Sequence, residues 1–176
     1  MKRLRPDVSS LKTRCGLEFE QAIVGLLPRL RRFARALTRN MADADDLTQI
    51  VIERALSRRG QWAPGTRLDS WLMRIMKNAW IDETRSRGRR GRLFAAEEAG
   101  EHVADPLVAR PADRDDAMAV EQAMARLPDD QRLAVVLVLV EGLSYAEAAE
   151  VLEIPPGTLT SRLVRGRMAL MAELER

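Results

Sequence analysis

Residues 142–167 read GLSYAEAAEVLEIPPGTLTSRLVRGR, and this stretch predicts two helices separated by a tight turn. Ser144 and Glu147 match a capping box, in which the hydroxyl and the carboxylate each satisfy a free backbone N–H at a helix start. The two prolines and the glycine at 155–157 end the first helix and impose the turn. We expect Thr158 to cap the second helix.

The two predicted helices have complementary faces. Ala148, Ala149 and Leu152 of the first helix should pack against Leu159 and Leu163 of the second. The second helix should turn a polar and basic set outward: Thr160, Ser161, Arg162, Arg165 and Arg167. Arginine grips phosphates and pairs with guanine in the major groove, so the pattern is typical of a DNA-reading helix-turn-helix. An ordinary helical hairpin with a solvated basic face is the alternative.

Composition and charge narrow the class of protein. Of 176 residues, 46% are hydrophobic, 31% charged and 4% aromatic. This mixture is typical of a globular protein and is rich in long unbranched side chains that favour helices, so we predict an all-α fold. The net charge is only +3, but residues 2–14, 29–39 and 85–92 carry clusters of basic residues and 97–116 is acidic. Clustered positive charge indicates a polyanion partner, although a solvated surface would show the same pattern.

Several kinds of chemistry find little support in the sequence. Cys15 is the only cysteine and His102 the only histidine, so a disulfide, a thiolate metal site and histidine-dependent catalysis are not expected. We predict no cofactor and no metal. No apolar run approaches the ~20 residues needed to span a bilayer. The basic start lacks the apolar segment of a secretory signal, so a cytoplasmic protein without membrane insertion is expected.

Helical periodicity divides the chain into two small helical domains joined by a flexible linker. The predicted boundaries are a basic N-terminal extension at 1–16, a first domain at 17–90, a linker at 91–114 and a second domain at 115–176. Pro28 should break or kink the first helix, since proline lacks the N–H that an α-helix needs. A third helix should start near Leu68 and fray after Thr84.

The predicted helix at 69–85 carries a second group of candidate residues. Its polar side is expected to combine Arg74, Lys77, Asn78 and Arg85. The amide of Asn78 can hydrogen-bond a base edge while the cations hold a phosphate backbone. Single-stranded recognition also needs aromatic walls around a displaced base, and Trp62 and Trp80 are candidates for them. Packing in the core is the alternative for both, and it is favoured for Trp71.

A third group of candidate residues is acidic. Asp43 and Asp45 fall in the first turn of a predicted helix, where carboxylates simply favour the helix dipole. Asp46, Gln49 and Glu53 follow at helical spacing on one face, which suits a basic protein partner. Paired carboxylates also occur in acid–base catalysis and in metal sites, but no second motif converges on these residues.

Residues 45–49 (DDLTQ) and 71–78 (WLMRIMKN), followed by Asp82 and Arg85, resemble region 2 of the sigma-70 family. This family comprises the bacterial transcription initiation factors. The similarity falls on the helix with the acidic face and on the helix with Asn78.

Region 4 of the same family is resembled by residues 127–128 (LP), 142–149 (GLSYAEAA) and 156–163 (PGTLTSRL), with Arg165 and Arg167 following. The order of the two regions, and a linker too short for another domain, are similar to the extracytoplasmic-function (ECF) group. The resemblance covers most of residues 17–174.

This resemblance implies a sigma factor without catalysis, which binds core RNA polymerase, directs promoter-specific initiation and is held inactive by an anti-sigma protein in a stress or envelope response. The implied polymerase-binding residues are Asp45, Asp46, Leu47, Gln49, Ile50 and Glu53. Those implied for the melted -10 element are Trp62, Arg67, Arg74, Lys77, Asn78, Trp80 and Arg85. Those implied for the -35 duplex are Thr158, Thr160, Ser161, Arg162, Arg165 and Arg167.

Two residues depart from the family pattern. Thr160 stands where many relatives have lysine or arginine, and Ile50 stands where an acidic residue is frequent. These departures weaken the expected DNA contact at Thr160 and the polar part of the polymerase contact at Ile50.

Two other functions fit parts of the sequence. One is a helix-turn-helix repressor or activator whose N-terminal half senses a ligand or dimerises; such a sensing bundle would not need Asn78 and its basic neighbours. The other is a nucleic-acid hydrolase that uses Asp43, Asp45 and Asp46, and it predicts metal-dependent turnover.

Overall fold

The structure is a computed structural model that describes residues 8–38, 41–93 and 111–175. These residues form helices and connecting turns without a β-strand, so the all-α prediction is confirmed. We call residues 8–93 the N-terminal half and residues 111–175 the C-terminal half. The N-terminal half contains α1 (Val8–Leu37), α2 (Met41–Ser57) and α3 (Leu68–Leu93), with a 3₁₀ turn at Arg59–Gln61. The C-terminal half contains α4 (Pro111–Arg126), α5 (Asp129–Val135), α6 (Tyr145–Leu152) and α7 (Pro156–Leu174), with a π-helical turn at Val136–Val140.

The helices of the N-terminal half form a small bundle around large apolar side chains. Phe33, Leu37, Val51, Leu72 and Met76 are buried at its centre. Phe33 and Leu37 are four residues apart, as are Leu72 and Met76, and this spacing keeps one helix face apolar. Full burial of such a side chain stabilises a fold by about 1.5–3 kcal/mol, so this face determines which side of each helix meets the others.

The N-terminal half differs from the sequence-based expectation in its helix ends. Helix α1 begins at Val8 instead of near residue 17, and it continues without a break through Pro28. A proline leaves the carbonyl four residues earlier without a helical partner, and that carbonyl belongs to Val24, whose side chain is 62% exposed. Water can therefore satisfy it. Helix α3 continues to Leu93, beyond the fraying expected after Thr84. His102, residues 1–7 and most of the predicted linker lie outside the described residues.

Helices α6 and α7 form the predicted helix-turn-helix. The capping box is confirmed, because the backbone N–H of Glu147 donates to the Ser144 hydroxyl and its carboxylate accepts from the Ser144 N–H. Thr158 does not cap α7: the helix starts at Pro156, and Pro155 is its N-cap. A proline at the first helical position loses no hydrogen bond there and has the right φ.

Glu153, which ends α6, has an unusual backbone conformation. Its φ is 58° and its ψ is 43°, in the left-handed region. Only glycine adopts this conformation freely, and for a residue with a Cβ it costs roughly 1–2 kcal/mol. Among the described non-glycine residues Glu153 alone has a positive φ.

Arg132 of α5 joins the two halves through backbone carbonyls. Its side chain is 4% exposed and donates hydrogen bonds to the carbonyls of Met124, Ala125 and Leu127 at the end of α4. It also donates to the carbonyl of Leu37 at the end of α1, at 3.1 Å. Helix ends leave carbonyls without partners, so one buried guanidinium completes the ends of two helices from different halves.

Glu141 is the second link between the halves. Its carboxylate is fully buried and accepts hydrogen bonds from the Nε of Arg29 at 2.8 Å and the Nε of Arg32 at 3.0 Å. The hydrogen bond and the negative charge of Glu141 raise the pKa of Arg32. The backbone N–H of Glu141 donates to the Val136 carbonyl five residues earlier, which is the π-helical bond that ends this segment beside α1.

Gly166 of α7 lies where this helix crosses α5, and it provides a stability prediction. A Cβ at position 166 would lie 2.7 Å from the Cγ2 of Val135 and 3.3 Å from the Gln131 carbonyl. We expect Gly166→Ala to lower the free energy of unfolding by about 1–3 kcal/mol, because the two helices must separate. Urea titration followed by circular dichroism measures it. Gly157→Ala is the matched control, since nothing lies within 4 Å of a Cβ there. Equal effects of the two substitutions would contradict the predicted close crossing.

Candidate nucleic-acid interface

The acidic side of α2 is open to solvent. We call Asp45, Asp46, Gln49, Ile50 and Glu53 the α2 face, and all of them are exposed. The side-chain amide of Gln49 donates to the Glu53 carboxylate at 3.0 Å, which fixes their relative positions. Leu47 differs from this group because it is only 5% exposed and belongs to the core. It orients the helix and has little surface left for a partner.

The polar side of α3 is divided between solvent and the C-terminal half. Asn78 and Arg85 are exposed, whereas Lys77 is 4% exposed and Arg74 is half-buried. These four residues lie on one side of α3 by helical spacing, as expected, but only two of them are open to solvent. Neighbouring residues on a helix point about 100° apart, so α6 can cover Lys77 and leave Asn78 free.

We call Arg67, Ser70, Arg74 and Lys77 the α3 strip; Arg67 precedes the helix and is exposed, whereas the other three lie in α3 and are half-buried or buried. The hydroxyl of Ser70 and the Nε of Arg74 are buried without a hydrogen-bond partner among the described residues. Buried polar groups in native structures nearly always have partners, so these two donors indicate a surface with unused binding capacity.

Two carboxylates of the C-terminal half contact the α3 strip. The Nζ of Lys77 donates to Glu153 at 2.6 Å, and Arg67 forms an ion pair with Glu147. The Lys77 hydrogen bond lowers the pKa of Glu153 against the opposing effect of burial. Hydrogen bonds from Ser144, and then from Arg67, lower the pKa of Glu147. Both carboxylates are therefore charged at neutral pH.

Asp69 completes the polar contacts at the start of α3. Burial disfavours its charged form, but hydrogen bonds from Arg67 and from the Ser70 N–H outweigh burial and lower its pKa. Arg29 also pairs with Asp69, and the same guanidinium binds Glu141. One arginine thus connects α1, α3 and the C-terminal half.

The tryptophans of this region lie mostly inside the fold. Trp62 is half-buried, with its ring 5.5 Å from that of Phe19, and Trp71 meets the same ring edge-on at 6.3 Å. Trp80 is 5% exposed beneath the guanidinium of Arg132, which lies 6.0 Å from its ring centre. Core packing was the alternative to DNA contact for the tryptophans. Trp71 and Trp80 pack in the core as that alternative expects. The indole N–H of Trp62 is buried without a partner among the described residues.

The outward side of α7 agrees with the sequence-based expectation at four positions: Thr160, Ser161, Arg165 and Arg167 are exposed. Thr158 is half-buried in the first turn. Arg162 is also half-buried, and its Nε lies 3.2 Å from Asp130 of α5. This partner was not predicted, because the sequence does not show which residues of α5 lie beside α7.

The ion-pairing residues that join the two halves were also not predicted. Glu141 lies more than 100 positions from Arg29 and from Arg32 in the chain, so local periodicity carries no information about their pairing. For Glu153 the sequence contains one indication of an unusual role, because a glutamate stands at the end of α6 where glycine is preferred.

Two further properties apply to the described ranges. No helix there is long and apolar enough to cross a membrane. Within the same ranges no three residues from histidine, cysteine, aspartate and glutamate converge on a possible metal position.

Comparison with protein families agrees with this architecture. The family model "Sigma-70 region 2" matches residues 23–90, and "Sigma-70, region 4" matches residues 117–170. The chain is 36% identical over 154 residues to the ECF RNA polymerase sigma factor EcfG of Rhodopseudomonas palustris, covering 86% of this chain and 82% of that protein. It is 36% identical to the RNA polymerase sigma factor CarQ of Myxococcus xanthus, covering 89% of this chain and 91% of that protein.

Solved structures extend the similarity to three dimensions. The co-crystal structure of the sigma factor RpoE with the anti-sigma factor NepR from Bartonella quintana matches with a TM-score of 0.78 and 30% identity, covering 90% of this chain and 97% of that chain. The structure of CnrH with the cytosolic domain of CnrY matches with a TM-score of 0.66 and 25% identity, over 89% and 87% of the two chains. One superposition of this extent includes both halves together. The chain therefore belongs to the sigma-70 family, in its extracytoplasmic-function group.

Proposed function

We infer that this protein is a sigma factor, which binds core RNA polymerase and directs promoter-specific initiation of transcription without catalysis of its own. The observation that carries this inference is the match to region 2 and region 4 in the family's order within one chain. The work of such a factor is done by binding: contacts to polymerase and to displaced bases offset the free energy of unstacking DNA.

The α2 face is our candidate for the contact with polymerase. Its carboxylates and its amide are exposed side by side, and Ile50 adds an apolar patch that is 39% exposed. Hot spots of protein interfaces combine such an apolar centre with polar residues around it. Leu47 supports this face from the core.

The outward side of α7 is our candidate for the -35 duplex. Arg165 and Arg167 are exposed, and a recognition helix contacts base edges with its N-terminal turns while arginines further on hold phosphates. Arg162 is paired with Asp130, so its guanidinium must break this ion pair, or bind DNA with its remaining N–H groups.

We propose that melted -10 DNA contacts the loop before α3 and the polar side of that helix, including the residues that are buried there. Asn78 is exposed and its amide both donates and accepts, which suits a base edge. Arg67, Arg74, Lys77 and Arg85 would hold the phosphates. Trp62 remains a candidate wall for a flipped base, whereas Trp80 would have to leave the core.

The remaining proposals concern organisation and regulation. We propose region 2 at residues 17–90, region 4 at 115–176 and a linker between them, in a cytoplasmic protein. An anti-sigma protein is the proposed regulator. The RpoE structure contains the anti-sigma factor NepR, and the CnrH structure contains the cytosolic domain of CnrY.

The function is tested by transcription in vitro with purified core polymerase and a library of genomic fragments. We expect this chain to direct initiation at a small set of fragments that share two sequence elements. Transcription no different from that of core polymerase alone would contradict the proposed function.

Loss of the α2 face should weaken the polymerase contact. We expect Asp46→Ala with Gln49→Ala to lower affinity for core polymerase by about tenfold, because hot-spot truncations typically cost 1 kcal/mol or more. Fluorescence titration with labelled protein measures the affinity. Glu20→Ala with Gln21→Ala likewise removes one carboxylate and one glutamine amide, from an exposed part of α1, and should leave the affinity unchanged. Equal effects would remove the α2 face from the account.

Arg165 provides the test for duplex recognition. We expect Arg165→Ala holoenzyme to bind promoter duplex more weakly. A phosphate contact predicts a uniform loss with a salt slope lower by about one, and a guanine contact predicts a loss of ~1–3 kcal/mol at one base pair. Arg58→Ala, an exposed arginine of the N-terminal half, is the control. If Arg165→Ala holoenzyme binds promoter duplex as tightly as the Arg58→Ala control, α7 has no role in reading DNA.

Asn78 provides the test for strand opening. We expect Asn78→Ala to keep its melting temperature, because the side chain is exposed, and to open promoters less. Permanganate reactivity of promoter thymines measures opening on native duplex and on a template mismatched at the -10 element. We expect weaker opening on duplex and altered base preference on the mismatched template. Wild-type opening by the folded variant contradicts the assignment.

A further inference from the structure

The outward side of α7 has an apolar part as well as a basic one. Thr160 and Val164 lie one helical turn apart and are both exposed, Val164 to 50%. Leu159 and Leu163, their neighbours in the chain, are buried and form the inner face of the helix. Val164 therefore lies on the side of α7 that turns away from the fold. We call Thr160 and Val164 the apolar pair.

The hydroxyl of Thr160 is already used within the helix. It donates to the Pro156 carbonyl at 3.0 Å, and the Ser161 hydroxyl donates in the same way to the Thr158 carbonyl at 2.9 Å. A hydroxyl bound like this can still accept a hydrogen bond, but it has no proton left to donate. Beyond Cβ, threonine has only this hydroxyl and a methyl group. The methyl group of Thr160 thus extends the apolar surface of Val164.

The charges around the apolar pair favour a nucleic acid as its partner. Arg165 and Arg167 are exposed and lie on opposite sides of Val164 by helical spacing. The first acidic residue of α7 is Glu173, in its last turn. In the major groove of DNA, the 5-methyl group of thymine is the apolar group at the base edges, and phosphates line the groove. An apolar centre between two cations is complementary to this arrangement.

The position of the apolar pair in the helix also suits base reading. Helix α7 begins at Pro156, so both residues belong to its first three turns, and a recognition helix contacts base edges with its N-terminal residues. Four residues of helix rise by about 6 Å, and successive base pairs are about 3.4 Å apart. The pair is therefore long enough to cover one thymine methyl group or two adjacent ones.

We propose that Thr160 and Val164 make this chain select thymine in the -35 duplex, by packing against its 5-methyl group at the major-groove edge. The proposal deepens the assignment of the -35 duplex to α7 and rests on it. A contact through the Thr160 hydroxyl would instead select an amino group, which adenine and cytosine carry. The two groups of this side chain therefore predict different bases.

The test compares two duplexes that differ only in methyl groups. Holoenzyme formed with the full chain is titrated against a fluorescein-labelled duplex of the fragment that it transcribes most strongly, and binding is measured by anisotropy. In the second duplex, deoxyuridine replaces every thymidine on both strands of the upstream shared element. Uracil pairs as thymine does and lacks only the 5-methyl group. We expect wild-type holoenzyme to bind the uracil duplex about fourfold more weakly for each methyl group lost from the contact.

Four substitutions assign this difference to the apolar pair. Thr160→Ser with Val164→Ala removes the methyl groups and keeps the hydroxyl, so this double variant should bind both duplexes equally. Thr160→Val keeps a methyl group and removes the hydroxyl, so it should still prefer thymine. Met171→Ala is the matched control, because Met171 is an exposed apolar residue two turns beyond Val164, and it should keep the full preference. Each variant is judged by the ratio of its two affinities, so a general loss of affinity cancels.

Several results would overturn the proposal. They are equal binding of the two duplexes by wild-type holoenzyme, a thymine preference that persists in the double variant, loss of the preference in Thr160→Val, and an upstream element without thymine. Weaker duplex binding by Arg165→Ala, together with equal binding of the two duplexes by wild type, would reject the thymine contact and leave the proposed function in place.

Discussion

The buried carboxylate of Glu141 is the constraint on which the arrangement of the two halves depends. A charged group that is buried away from water needs hydrogen-bonding partners of opposite charge. Removing one partner of a buried ion pair typically destabilises the fold by about 3–5 kcal/mol. Here the partners are Arg29 and Arg32 of α1, and the π-helical turn ends beside them. Arg29 also binds Asp69, so one guanidinium connects Glu141 with both α1 and α3. The apolar core runs across the same contact without interruption.

This contact divides the proposed functional surfaces into two groups. The α2 face and the outward side of α7 are open while the halves are together, whereas Arg67, Arg74 and Lys77 face the C-terminal half.

Local features were predictable from the sequence, and features that depend on distant pairing were not. The capping box at Ser144, the helix-turn-helix and the exposed side of α2 follow from short-range spacing and were predicted. Pro28 was expected to interrupt α1, but an exposed turn allows water to replace the missing bond. Lys77 and Asn78 were grouped because both are polar. Only the position of α6, fixed through Glu141 more than 60 residues away, decides that one is covered and the other is free.

The central claim is that the two halves of the free chain are held together by the ion pairs of Glu141 with Arg29 and Arg32. The direct measurement is single-molecule energy transfer between dyes on Ser57→Cys in α2 and Ala172→Cys in α7, both exposed positions, in a Cys15→Ser background. We predict one efficiency in the wild-type chain, matching the separation in this structure, and a broad distribution of efficiencies in Glu141→Ala, which leaves Arg29 and Arg32 without this partner. A broad distribution of efficiencies in the wild-type chain, or the wild-type efficiency in Glu141→Ala, would contradict it.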